Sequence, residues 1–277
     1  MLFTESSVRE VIQEPGLDGM LKHIDYCAGI CYNRHGLSKS GDSKAFVKSL
    51  FERGHGRCLE FGTVNMKVPF LAEPLSKEIF KVIHSSYSRI NVNKENPYLP
   101  LWEVTTNFRV MCDNLGFDNA LEIAEKYWSG EQFFPRRTFV FTCSRVTADS
   151  FRTHVTLSSL MKSTRYVDWG KGGMRFTKPY WFVDGEEEDI GTKEWLFKSA
   201  CEDAEIRYNQ MVREYKMKPQ EAREILPLSI ETELCLCGFS EIEGEGWKRF
   251  LDMRCDSAAH PDAQKLANEV KILLEKN

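Results

Sequence analysis

The chain has 277 residues, with 37 Lys and Arg against 41 Asp and Glu, a net charge of −4, and 42 % hydrophobic residues. That apolar fraction supports a sizeable core, and the net negative balance excludes a duplex nucleic-acid binder held mainly through phosphates. A small phosphorylated ligand stays possible, because two or three placed arginines suffice for it.

In chain order, the first clear element is a helix over Ser43–Arg53. Ala45, Phe46, Val47, Leu50 and Phe51 cluster on one face, and Gly54 supplies the stop. Thr63–Pro69 alternates Val64, Met66 and Val68 against polar residues, the pattern of a half-buried strand. Glu103–Val110 alternates again and reads as a second strand, and Asp118–Trp128 returns to helical spacing. Arg137–Cys143 (RTFVFTC) has the apolar continuity of a buried strand. The acidic run Glu186–Asp189 predicts a solvated loop, an insertion around 184–191 rather than a domain boundary. Thr192–Met217 is the longest helical pattern, Pro219 opens a further turn, and Leu228–Cys237 is strand-like. Asp262–Lys276 closes the series as an amphipathic helix with Ala263, Leu266, Ala267, Val270 and Leu274 inward. Without regular strand–helix alternation, the expected class is α+β, a single domain over 1–277 with mixed helices around an antiparallel sheet.

Several signatures are missing. No GxGxxG or GxxxxGK[ST] occurs, nor HExxH or GxSxG. The nine cysteines include two close pairs, Cys27/Cys31 and Cys235/Cys237, and neither has CxxC spacing, so no metal site is expected. An odd count without a signal-like leader predicts reduced thiols in a cytoplasmic protein, most of them buried. Met1–Glu14 carries Glu5, Arg9, Glu10 and Glu14, which suits neither a secretory segment nor a membrane span. Gly170, Gly172 and Gly173 form either a plain turn or a phosphate cradle.

The polar stretch Ser144–Trp169, directly after the buried strand, holds the strongest chemical signal. Arg165 beside Ser163 and Thr164 sets a planar, permanently charged fork among hydroxyls, which suits a phosphate monoester; an arginine bridging structural elements is the alternative.

This stretch resembles the RHRxxSxNExSxR signature of the flavin-dependent thymidylate synthases. Aligned on the last arginine, it keeps His154, Ser158, Ser163 and Arg165, followed by Tyr166. Thr153 and Val155 stand where the family has arginines flanking the histidine, and Leu160 and Met161 replace its Asn-Glu pair. Three further elements follow the family's order. His55 and Glu60 lie in a partial HxxxxEH before a strand, Ala222-Arg223-Glu224-Ile225-Leu226-Pro227 resembles AR-x-x-LP, and Phe250-Leu251-Asp252-Met253-Arg254 with Ala263-Gln264 resembles FLxLR…AQ.

The resemblance, which runs from about His55 to Val270, implies reductive methylation of dUMP to dTMP. Methylenetetrahydrofolate would give the carbon, reduced FAD the hydride, and NADPH the electrons that recharge the flavin. It further implies a homotetramer with sites between subunits. Carried over residue by residue, Ser163, Arg165 and Arg223 contact the nucleotide. Arg254 faces the uracil as an electrostatic catalytic group, and His154 and Ser158 face the flavin. His55 and Glu60 are expected to organise a turn rather than act chemically. From the residues alone, Arg223 either binds ligand or pairs with Glu221 or Glu224; Arg254 either binds ligand or pairs with Asp252 or Asp256; His154 is otherwise a hydrogen-bonded structural histidine. Loss of two charge-assisted contacts worth about 1.5–3 kcal/mol each would weaken FAD binding unless Arg145, Arg152 or Lys162 compensates. Two alternatives therefore stand beside dUMP methylation: one-carbon transfer to another pyrimidine nucleotide, and a nucleotide-binding homologue without flavin or catalysis.

Overall fold

A computed structural model describes residues 1–69, 77–93, 100–184 and 191–276. Strands β1 (Leu2–Thr4) and β2 (Ser7–Glu10) precede helices α1 (Gly16–Ile30), α2 (Ser43–Glu52) and the single turn α3 (Gly56–Leu59). Next come β3 (Thr63–Pro69), α4 (Lys77–Ile83), β4 (Arg89–Asn93), β5 (Leu101–Asn107), α5 (Phe108–Leu115) and α6 (Phe117–Tyr127). The second half runs β6 (Arg136–Ser144), α7 (Arg145–Phe151), β7 (Ser158–Met161), β8 (Arg175–Thr177) and α8 (Lys193–Asn209). It finishes with α9 (Pro219–Ala222), β9 (Glu231–Phe239), α10 (Gly246–Arg254) and α11 (Pro261–Glu275).

The organising sheet is antiparallel, in the order β2-β6-β9-β7; a second antiparallel sheet has the order β3-β5-β4, and β1 pairs with β8 in parallel. The apolar continuity of β6 and β9 follows from burial on both faces. Phe139, Phe141, Leu234 and Leu236 point to one side, packed with Ala148 and Phe151 of α7, Trp247 and Phe250 of α10, and Ala263, Leu266, Ala267 and Val270 of α11. Val140, Leu160, Cys235 and Cys237 point to the other, against Met20, Ile24 and Cys27 of α1. A mixed α+β architecture around antiparallel sheets is thus present as expected.

Expected elements and observed ones differ at three places. The strand read through Val110 stops at Asn107, whose side chain accepts the Val110 N–H at 3.1 Å and caps α5. The long helix expected to Met217 ends at Asn209 and passes into a π turn, Gln210–Glu214, after which Lys216 takes a positive φ of 56°. That wide turn brings Arg213 onto Asp168 at 2.6 Å. The strand read from Leu228 begins at Glu231, because Ile230 N–H closes a turn on Pro227 O while Leu228 O and Ile230 O accept the first N–H groups of α7. The loop insertion expected around 184–191 lies largely outside the described residues. Among the described residues, no helix is long and apolar enough to cross a membrane.

Candidate functional site

The segment singled out in the sequence is folded as a loop around the sheet edge. Ser144, at the end of β6, caps α7 by accepting Thr147 N–H at 3.3 Å. The chain then returns along β7, antiparallel to β9, and turns away after Met161. That turn is anchored by Ser163 N–H on Cys31 O at 3.0 Å. The Ser163 hydroxyl accepts Arg165 N–H at 3.0 Å and Tyr166 N–H at 3.3 Å, which fixes the direction of the next two side chains.

Between this turn, α3, α7 and the segment after α9 lies an open cleft of about 440 Å³. Its wall carries six cations: Arg57, Arg145, Arg152, Lys162, Arg165 and Arg223. No carboxylate is among the described residues that line it. In a chain of net charge −4, this concentration of one sign focuses a positive potential on one concave surface. Asp149, behind the wall, holds Arg145 at 3.0 Å and Arg152 at 3.3 Å and so orients both. Arg57 Nη1 donates to Ser159 Oγ at 3.4 Å, and Arg223 Nη1 to Thr164 Oγ1 at 3.4 Å. Arg223 also meets Glu224 at 3.4 Å, so its structural and ligand-facing roles coexist. Tyr32 and Tyr166, both exposed, stand with ring centroids 5.8 Å apart at 32°, and Arg165 lies over the Tyr166 ring. Lys162 lies over Trp169 at 4.4 Å; burial pushes its ammonium pKa down, against the opposing pull of Glu233 and Glu231.

The structure brings Ser163, Arg165 and Arg223 together, along with the three expected compensators Arg145, Arg152 and Lys162. His55 also lines the cleft. Glu60 organises the turn before β3: its carboxylate takes Arg109 at 2.6 Å and its carbonyl takes Arg136 at 2.9 Å. Ser158 lies apart, in a neighbouring cleft of about 350 Å³ that shares Arg57 with the first. There Arg109 pairs with Glu60 and Arg89 with Glu245, which leaves Arg57 and Arg136 without a carboxylate among the described residues. This donor set, with the Ser86 and Thr156 hydroxyls and the rings of Tyr87 and Phe239, fits a ligand combining a pyrophosphate with flat rings.

His154 and Arg254 line neither cleft. His154 is 6 % exposed, and its Nε2 accepts Arg254 Nε–H at 2.9 Å. Burial first, then the charges of Arg254 and Arg249, lower its pKa to about 4 and keep the ring neutral. Arg254 donates further to Ser150 O at 2.6 Å and Thr153 Oγ1 at 3.3 Å. Among the described residues, neither Asp252 nor Asp256 pairs with it. Val155, at a position where the resemblance calls for arginine, is 91 % exposed.

Of the charged and aromatic residues that line the cleft, two were not singled out from the sequence. Arg57 lies between His55 and Glu60 and was signalled by that motif; Tyr32, at the end of α1, carried no local signal.

No curated protein matches the chain. Among solved structures, thymidylate synthase X from Helicobacter pylori, crystallised with FAD and dUMP, is 17 % identical with a TM-score of 0.38. That match covers 49 % of this chain and 65 % of the other, so it spans just under two thirds of that relative's length. The UMP/dUMP methylase PolB from Streptomyces cacaoi, bound with 5-Br UMP, is 13 % identical with a TM-score of 0.46, covering 100 % and 92 % of the two chains. The thymidylate synthase complementing protein family matches residues 134–277, just over half of the chain, which includes Arg145, Arg152, Lys162, Arg165 and Arg223 of the cleft but not Tyr32, His55 or Arg57. By that match the chain belongs to the thymidylate synthase complementing protein family.

Proposed function

We propose that this chain, acting as one domain over 1–277, binds a pyrimidine nucleoside monophosphate in the six-cation cleft and methylates dUMP reductively to dTMP. The observation that carries the reading is the wall of Arg57, Arg145, Arg152, Lys162, Arg165 and Arg223, with no lining carboxylate among the described residues. Arg165 and Arg223, with the Ser163 and Thr164 hydroxyls, hold the phosphate. Tyr32 and Tyr166 supply flat faces for the base. FAD is proposed for the adjoining cleft, held by Arg57, Arg136 and Ser158; when bound, it supplies the hydride for a carbon delivered by methylenetetrahydrofolate and is recharged by NADPH. His154 does not join it within one chain, because its Nε2 is taken by Arg254. Arg254 would stabilise negative charge developing on the pyrimidine ring, and it serves that role only across an assembly such as the homotetramer the resemblance implies. The cytoplasm is the proposed location.

The test is an absorption spectrum of purified protein with and without FAD and dUMP, joined to a calorimetric dUMP titration. Flavin absorption that shifts on adding dUMP is expected. Absence of dUMP binding to the wild type overturns the reading.

A second reading has its own observation. The cleft meets a phosphate with six cations, and the apolar and aromatic part of its remaining wall is Leu160, Met161, Tyr32 and Tyr166. Such a wall stacks a ring without reading its edge, so base discrimination is weak, and one-carbon transfer to another pyrimidine nucleotide follows. Turnover of UMP or dCMP at rates above that of dUMP would select it. Folate-dependent turnover confined to dUMP would remove it.

A further inference from the structure

On the far side of Lys162 from the cleft lies a second cavity, of about 400 Å³, within the size range of small-molecule sites. It is walled by β9, the loop after α1 and the Trp169–Gly173 turn. Buried polar groups in folded proteins nearly always have hydrogen-bond partners. Here five buried side-chain atoms among the described residues lack one, and two of them, Trp169 Nε1 and Glu233 Oε2, belong to side chains of this wall; a third orphan, Thr232 Oγ1 on β9, alternates onto the opposite face of the sheet, the face of Cys143. Trp169 is 6 % exposed, Thr232 1 %, and the Glu233 side chain 13 %.

Glu233 is the more telling of the wall's two. Its side chain is part-buried, and a buried carboxylate oxygen such as its Oε2 is costly to leave without a hydrogen bond, yet its charged contact among the described residues is His35 Nε2 at 3.7 Å, too long for one. Neighbouring Glu231, by contrast, is satisfied by Arg175 at 2.6 Å and by Thr4. Lys162 does not close an ion pair with Glu233; its ammonium rests on the Trp169 ring instead. The same wall contains Asn33 in the left-handed region at φ 55°, a non-glycine strain of the kind that collects at functional sites.

The unfilled valences define the ligand. Glu233 only accepts, whereas Lys162 and the indole N–H only donate. The lining sets three carboxylates, Asp168, Glu231 and Glu233, against three cations, Lys162, Lys171 and Arg175, so its charge does not select an anion alone. A metal ion lacks ligands, since no group of three His, Cys, Asp or Glu that could hold one exists among the described residues. A molecule offering adjacent N–H donors to the carboxylate and an oxygen or ring nitrogen to the ammonium and indole answers Glu233, Lys162 and Trp169 together. We propose that this cavity is a second ligand site, for a planar heterocycle with a 2-amino-4-oxopyrimidine edge, its N–H pair on Glu233 and its acceptors toward Lys162 and Trp169. Both a pterin and a guanine base carry that edge. If the occupant is a pterin, it belongs to the one-carbon donor, an identity that rests on the function proposed above.

Two probes separate the sources: 6-hydroxymethylpterin, followed by its own fluorescence, and guanosine, followed by calorimetry. The wild type is expected to bind at least one of them. Glu233→Gln, which keeps the shape and removes the charge, should weaken that binding by at least about tenfold while leaving dUMP affinity within about twofold. Should Glu233→Gln fail to fold by circular dichroism, Trp169→Phe, which removes the indole N–H and keeps a ring, is read in its place, with a loss of about fivefold expected. The proposal is overturned if neither probe binds the wild type, or if the folded variant binds as tightly as the wild type. Failure of dUMP to bind the wild type sinks the cleft assignment alone, since the pterin and guanosine isotherms decide this site independently.

Discussion

Arg223 makes two contacts of nearly equal length, one with Thr164 in the cleft and one with exposed Glu224. An exposed ion pair contributes little to stability, so a purely structural role predicts almost no consequence of removing it. Arg165→Ala and Arg223→Ala are each expected to weaken dUMP binding by about ten- to a hundredfold in calorimetry, with melting temperature nearly unchanged. His154 behaves differently. Its pKa falls from 6.5 to about 4 in the folded chain, so protonation favours the unfolded state. The stabilisation is complete above pH 6.5 and is lost as pH drops toward about 4. Melting temperature measured across that window should fall in the wild type, and His154→Gln should flatten that part of the curve. A His154→Gln curve with the same slope would show that the buried ring does not control it.

Elements specified by their own side-chain alternation were legible in the sequence. β3 runs over the expected residues, and β6 exceeds its expected range by one residue at each end, because apolar periodicity set both. α5 was missed because Phe108 and Val110 are buried in a helix as fully as they would be in a strand, and one amide cap decides between the two. Asn107→Ala should therefore cost about 1 kcal/mol in chemical denaturation, the usual loss for such a cap. α10 depends on a feature that no periodicity reveals. Gly246 opens it at φ 49°, and a Cβ there would lie 2.1 Å from Phe239 O. Gly246→Ala should destabilise by more than about 1 kcal/mol, because added strain and a backbone clash act together on the helix carrying Arg254. The site was half legible for the same reason. Ser163, Arg165 and Arg223 belong to short motifs, whereas Arg57 and Tyr32 reach the cleft only through the packing of α1 and α3 on the sheet.

At the scale of the whole molecule, charge is partitioned rather than balanced: the surface is net acidic while one concavity is cationic. Affinity for dUMP should fall several-fold as ionic strength rises from roughly 0.05 to 0.5 M, since screening lengths shrink to a few ångströms. A salt-independent affinity would mean that the cations do not face the ligand. The two clusters on opposite faces of the β2-β6-β9-β7 sheet bury most of the thiols. Seven of the nine cysteines are buried, and Cys31 and Cys255 are part-exposed. Labelling of the native chain with a thiol reagent should therefore show two fast groups and seven released only on unfolding. Lys162 belongs to the walls of both the six-cation cleft proposed for the nucleotide and the cavity beside Trp169. A single ammonium cannot serve a guest on each side at full strength, so filling one chamber must alter the grip of the other. Thermodynamic reciprocity makes that alteration the same factor in both directions, so one shared side chain would set the two proposed guests against each other.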